Sequence, residues 1–87
     1  MDYISILLTQ DGMFCLAPAW TVTAGDIVSL PDLLSGGDKR SEVISVVTVR
    51  QGHDFITMLE KYIGFPLPKI TAKYRKSEVE WDEPVQE

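Results

Sequence analysis

The chain has one cysteine and one histidine in 87 residues. A lone Cys15 excludes an intrachain disulfide, the usual support of a small secreted domain, so a reducing compartment is expected. Cys15 and His53 lie too far apart in sequence for any known metal-ligand spacing, and no loop is dense enough in carboxylates to hold calcium. No metal and no cofactor are expected. Long apolar runs are also missing. The longest, Met13 to Trp20, is too short to cross a bilayer and contains Pro18. The N-terminal residues lack a basic region followed by an apolar stretch, so no signal peptide and no membrane contact are expected. The expected location is cytoplasmic.

Basic residues are scarce. Eight lysines and arginines face thirteen acids, for a net charge of −5. Such an acidic chain is a poor general binder of nucleic acid, which requires a basic surface. The chain is also too small to surround a deep pocket, because a domain of this size buries only about 60–65% of its unfolded surface.

What is present reads as strands. Asp2 to Thr9 carries Ile4, Ile6 and Leu8 on one face and Tyr3, Ser5 and Leu7 on the other. Asp11-Gly12 is the favoured pair for a two-residue hairpin turn. It predicts a return strand over Met13–Ala17, with Leu8 opposite Cys15, Leu7 opposite Leu16 and Ile6 opposite Ala17. Both faces are apolar, which suits a curled sheet better than a flat one with a wet side. Ile27, Val28 and Leu30 form a third strand closed by Pro31. Ser35 to Ser41 reads as a polar, glycine-rich hairpin tip rather than a phosphate loop, because its glycines are adjacent and a strand follows. Val43 to Val49 is the strongest strand signal.

The period then changes. Phe55, Met58, Leu59, Tyr62 and Ile63 make one helical stripe near residues 53–63. Asp54 is the expected N-cap, with His53 as the alternative, and Gly64 is the expected stop. Ile70, Ala72 and Tyr74 begin a last strand. Val79 and Trp81 continue it in the opposite phase, which a bulge or bend between Arg75 and Glu78 would explain.

The resulting order, β-β-β-β-α-β, resembles the SH3-like small-barrel arrangement in topology alone. The expectation is an α+β, mostly β fold: a small five-stranded antiparallel SH3-like barrel or roll with one short helix before the last strand. Residues 1–81 are expected to form a single domain, with 82–87 a frayed acidic tail.

Candidate functional residues are few. Cys15, His53 and Asp54 are the only materials for a nucleophilic site. A mid-strand cysteine beside Met13 and Ala17 reads instead as a small core residue. Lys69, Lys73, Arg75 and Lys76 surround Tyr74, as in barrels that hold single-stranded nucleic acid. Glu78, Glu80, Asp82, Glu83 and Glu87 follow at once, which reads better as a charged edge. Trp20, Tyr74 and Trp81 are the candidate partner-binding residues. The expected function is a small acidic, non-enzymatic binding module, self-associating or an accessory subunit. Its expected partner is a protein or another copy, with no small-molecule substrate. The alternative is a nucleic-acid-associated barrel using Lys69 to Lys76.

Overall fold

A computed structural model describes residues 2–32 and 36–75. The expected class holds: five antiparallel strands form a curled half-barrel with one short helix. They are β1 (Tyr3–Thr9), β2 (Phe14–Pro18), β3 (Ile27–Pro31), β4 (Asp38–Arg50), α1 (Asp54–Ile63) and β5 (Ala72–Tyr74). The sheet order is β2-β1-β4-β3-β5. β4 is the spine, pairing with β3 through Asp38–Glu42 and with β1 through Val43–Arg50. Its direction changes where the partners change. Thr9 pairs with Val43 and Leu8 with Ser45, so Ile44 is an extra, bulged residue.

Two sequence expectations are corrected in the strands. The turn enclosed by the hydrogen-bonded residues Thr9 and Met13 has three residues, not two. Thr9 N–H donates to Met13 O and Gly12 N–H to Thr9 O, each at 2.9 Å, with Gly12 at φ +84°. This is a type I turn followed by a left-handed glycine. The register moves by one, pairing Leu7 with Cys15, Ile6 with Leu16 and Ser5 with Ala17. Apolar residues on both faces had allowed either register. β4 also begins at Asp38, so residues 38–41 form ladder rather than hairpin tip.

β1 is buried on both faces because two cores flank it. Inside the curl lie Leu7, Cys15, Ala17, Val28, Leu30 and Val43. On the outer face Ile6 and Leu16 pack with Leu67, and the helix adds Phe55, Ile56, Leu59 and Ile63. The stripe is therefore rotated from the expected one. Ile56 belongs to it, whereas Met58 and Tyr62 are 63% and 86% exposed. The cluster that the helix docks on, Ile6, Leu16 and Leu67 with Ile4, Phe14 and Val49, meets it on its Phe55, Ile56, Leu59 and Ile63 side. His53, the alternative candidate, is the N-cap: its Nδ1 accepts the Phe55 N–H at 3.0 Å. Gly64 ends the helix in the left-handed region as expected.

Beyond the helix, the chain crosses between the two ends of the sheet. Leu16 N–H donates to Pro68 O at 2.8 Å, and Ile70 N–H donates to Leu16 O at 3.0 Å. This single parallel bridge, Leu16 to Lys69, links β2 to the segment leading into β5. β5 then pairs with β3. Asp38 Oδ2 secures the junction, accepting from Thr71 Oγ1 at 3.0 Å and from Ser29 Oγ at 3.3 Å. Among the described residues no helix is long and apolar enough to cross a membrane.

Candidate functional site

The connection from β2 to β3 makes the same kind of turn twice. In the second, Asp26 N–H donates to Thr23 O at 3.1 Å and Gly25 takes φ +100°. In the first, Thr21 N–H donates to Pro18 O at 3.3 Å, and Trp20 holds the left-handed position at φ +61°. These are the features of a type II turn, whose third residue is ordinarily glycine or asparagine. A left-handed non-glycine residue costs about 1–2 kcal/mol.

The surroundings maintain this conformation. Trp20 N–H donates to Ser5 Oγ at 3.4 Å, and Ser5 Oγ also bonds Thr48 Oγ1 at 2.9 Å inside the curl. The indole lies against Tyr3, with ring centroids 5.1 Å apart and planes tilted by 46°. It is nevertheless 72% exposed. A large aromatic held in a strained turn, with most of its surface in water, is the most unusual feature of the described chain.

Trp20 stands beside an open seam. After the Leu16–Lys69 bridge the edges of β2 and the β5 segment separate. Two clefts lie there. One, of about 370 Å³, is lined by Tyr3, Ile4, Pro18, Gln51, Lys69 and Ile70 among others. The other, of about 260 Å³, is lined by Pro18, Thr21, Ile70, Thr71, Ala72 and Lys73. Among the described residues no carboxylate lines either cleft, although the chain carries thirteen acids. Lys69 and Lys73 are both exposed. A third, apolar groove of about 520 Å³ lies between Met13, Leu30 and Phe65 on the far side of the β2 edge.

The other sequence candidates fall elsewhere. Tyr74 is half-buried, and the guanidinium of Arg40 stands 4.6 Å from its ring centroid. Arg40, assigned to a loop by its sequence context, is brought there by the early start of β4. Trp81 lies outside the described residues, as does the tail 82–87. Cys15 is fully buried. Burial, helped by the charge of Asp11, pushes its thiol up to about 11. His53 is committed to its cap through Nδ1. Among the described residues no group of three His, Cys, Asp or Glu could hold a metal.

A thiol so protected is expected not to react with a thiol-directed reagent at about pH 8 in the native protein, and to react once the chain is unfolded. Rapid native labelling would show that the inner core opens.

One charged cluster is structural. Asp11 Oδ1 accepts from Ser41 Oγ at 2.5 Å and Thr9 Oγ1 at 2.8 Å, and Oδ2 pairs with Lys39 Nζ at 2.7 Å. Lys39 above all, then Ser41, holds the Asp11 carboxyl well below the usual carboxylate range. The same contact raises Lys39.

Comparison of the chain with family models, with curated proteins and with solved structures returns no match. Function is therefore read from the seam and its aromatic flank. Tyr3 is the site residue that sequence reasoning missed. Nothing local marks it, because its role follows from a turn seventeen positions away.

Proposed function

We propose that this protein is a small acidic, non-enzymatic interaction module that associates with further copies of itself, in a reducing, cytoplasmic setting. The observation that carries the reading is Trp20: 72% exposed, in tilted ring contact with Tyr3, in a turn position that glycine would fill without strain. Interface anchors are characteristically large aromatics at a patch centre, and tryptophan leads them. The apolar clefts beside it give a partner something to fill. The alternative reading, nucleic acid held by Lys69 to Lys76, has less support. One approach to the Tyr74 ring is taken by Arg40, and the net charge is −5.

Trp20→Gly separates binding from stability. Glycine relieves the left-handed strain, about 1 kcal/mol, while loss of the Tyr3 contact forfeits a similar amount. The melting temperature is expected to stay within a few degrees. Sedimentation of the wild type at tens of micromolar should give a mass above the 9.8 kDa of one chain, and the variant should fall to it. A wild type that stays monomeric at every concentration removes the self-association reading. A variant that associates as well as wild type removes Trp20 as its anchor.

A further inference from the structure

The cleft of about 370 Å³ beside Trp20 combines apolar walls with a single cation. Ile4, Pro18 and Ile70 supply apolar surface, and Tyr3 adds the ring that the Trp20 indole lies against. Lys69 supplies the charge. It is exposed and has no ion-pair partner among the described residues. Gln51 brings an amide. Both polar residues are anchored through the backbone. On either side of Lys69, Pro68 O accepts from Leu16 N–H at 2.8 Å and Ile70 N–H donates to Leu16 O at 3.0 Å. Gln51 N–H donates to Asp2 O at 3.0 Å. Asp2 itself does not line the cleft, and among the described residues no carboxylate does. In a chain with thirteen acids and a net charge of −5, this lysine is left to be met by a negative charge from outside.

We propose that the cleft binds a small monocarboxylate with an apolar body. The carboxylate meets Lys69 Nζ and the Gln51 amide, and the body packs on Ile4, Pro18 and Ile70 with the Trp20–Tyr3 pair as its outer wall. This inference goes beyond self-association and does not depend on it.

Each part of the assignment follows from the chemistry present. One lysine and one amide suit a single negative charge. A phosphate carries nearly two and is ordinarily held by several donors of an arginine cluster or a helix N-terminus, which the cleft lacks. The volume lies at the lower end of ligand clefts, about 300–1,000 Å³, so the body is on the scale of one ring. A free molecule is favoured over an extended chain because the β2 wall has no main-chain partner to give. Leu16 N–H and O are used by the bridge, Pro18 has no N–H, and Pro18 O accepts from Thr21 N–H and Oγ1 at 3.3 and 2.7 Å. Peptides that dock on sheet edges rely on such groups being unpaired. Trp20 holds its strained conformation beside this cleft, and backbone strain of that kind clusters at ligand clamps.

The test uses the full chain, isotope-labelled for amide-resolved nuclear magnetic resonance, with phenylacetate as the probe and its neutral amide, phenylacetamide, as the control. Phenylacetate is expected to shift the amide signals of Ile4, Ala19, Gln51 and Ile70 saturably, with a dissociation constant of about 1 mM, ordinary for a ligand of about ten heavy atoms. Phenylacetamide should bind at least threefold more weakly. Lys69→Gln should weaken phenylacetate to the level of the amide, whereas Lys73→Gln, in the adjoining cleft, should leave it unchanged. Both lysines are exposed, so both variants are expected to fold, which circular dichroism checks. Trp20→Gly should weaken acid and amide alike, because it removes a wall and not the charge. Equal affinity for the acid and its amide, or undiminished binding by Lys69→Gln, overturns the carboxylate assignment. Phenyl phosphate binding more tightly than phenylacetate would make this a phosphate site, and acetyl-alanyl-alanyl-phenylalanine binding more tightly would make the ligand a chain end. Either result overturns the free monocarboxylate. No saturable shift removes the site altogether. None of these readouts is a mass, so a failure here leaves self-association to its own sedimentation test, and a monomeric wild type leaves this inference standing.

Discussion

Leu7→Ala is expected to lower the unfolding free energy by about 2–5 kcal/mol, the cost of truncating a core leucine. Leu7 is completely buried at the centre of β1, with Cys15 of β2 and Val46 of β4 as register partners on either side. Strands on both flanks keep the cavity from collapsing, which puts the cost toward the upper end. A small domain has about 5 kcal/mol to lose, so a large fraction of the molecules should be unfolded at room temperature. Urea titration measures the change. Val47→Ala, at a 46% exposed position one residue along the same sheet from Val46, serves as the comparison and should shift the midpoint little. Equal shifts would mean that the interior is not packed as described.

The second large effect is expected at Asp11. Asp11→Ala removes the acceptor of Ser41 Oγ, which is buried, and one partner of Thr9 Oγ1. A hydrogen bond to a charged group contributes about 1.5–3 kcal/mol, and a total loss of about 2 kcal/mol is expected. The Lys39 pair adds little to it, because both side chains are over a third exposed and water screens them. The carboxyl is held below its ordinary range in the folded state, so its contribution is complete above the unfolded carboxyl value, near about pH 4. It disappears as pH falls further through the folded value. Asp11→Asn, which cannot titrate, should therefore show a flatter stability profile than wild type between about pH 5 and about pH 2. Identical profiles would assign the acid sensitivity to other carboxyls.

Asp11 also shows what sequence reading could reach. Asp-Gly identified the hairpin correctly because glycine there is needed for its left-handed conformation. The loop length was missed because the aspartate has a second role, fastening the turn to β4, which no local pattern reveals. The same holds for β4 itself. Val43 to Val49 announced a strand through β-branched residues, but Asp38 to Ser41 have no such preference. They are strand because β3 lies alongside and takes their backbone hydrogen bonds. The helix followed its apolar period and its Gly64 stop. Its exact face depended on which residues of the sheet and of the segment around Leu67 it meets, which left Met58 and Tyr62 in water and drew Ile56 inward.

The sequence by itself determined the kind and order of the described elements and the burial of Cys15. These depend on side-chain periodicity, turn residues and residue chemistry, all local properties. Only the tertiary structure decided the pairing of β1 with β4, the closing bridge from Leu16 to Lys69 and the seam beyond it. It alone placed Trp20 in a glycine position, against Tyr3 and facing water. Those features arise where segments distant in sequence meet, and a strand whose two faces are both apolar does not specify which neighbours it will take.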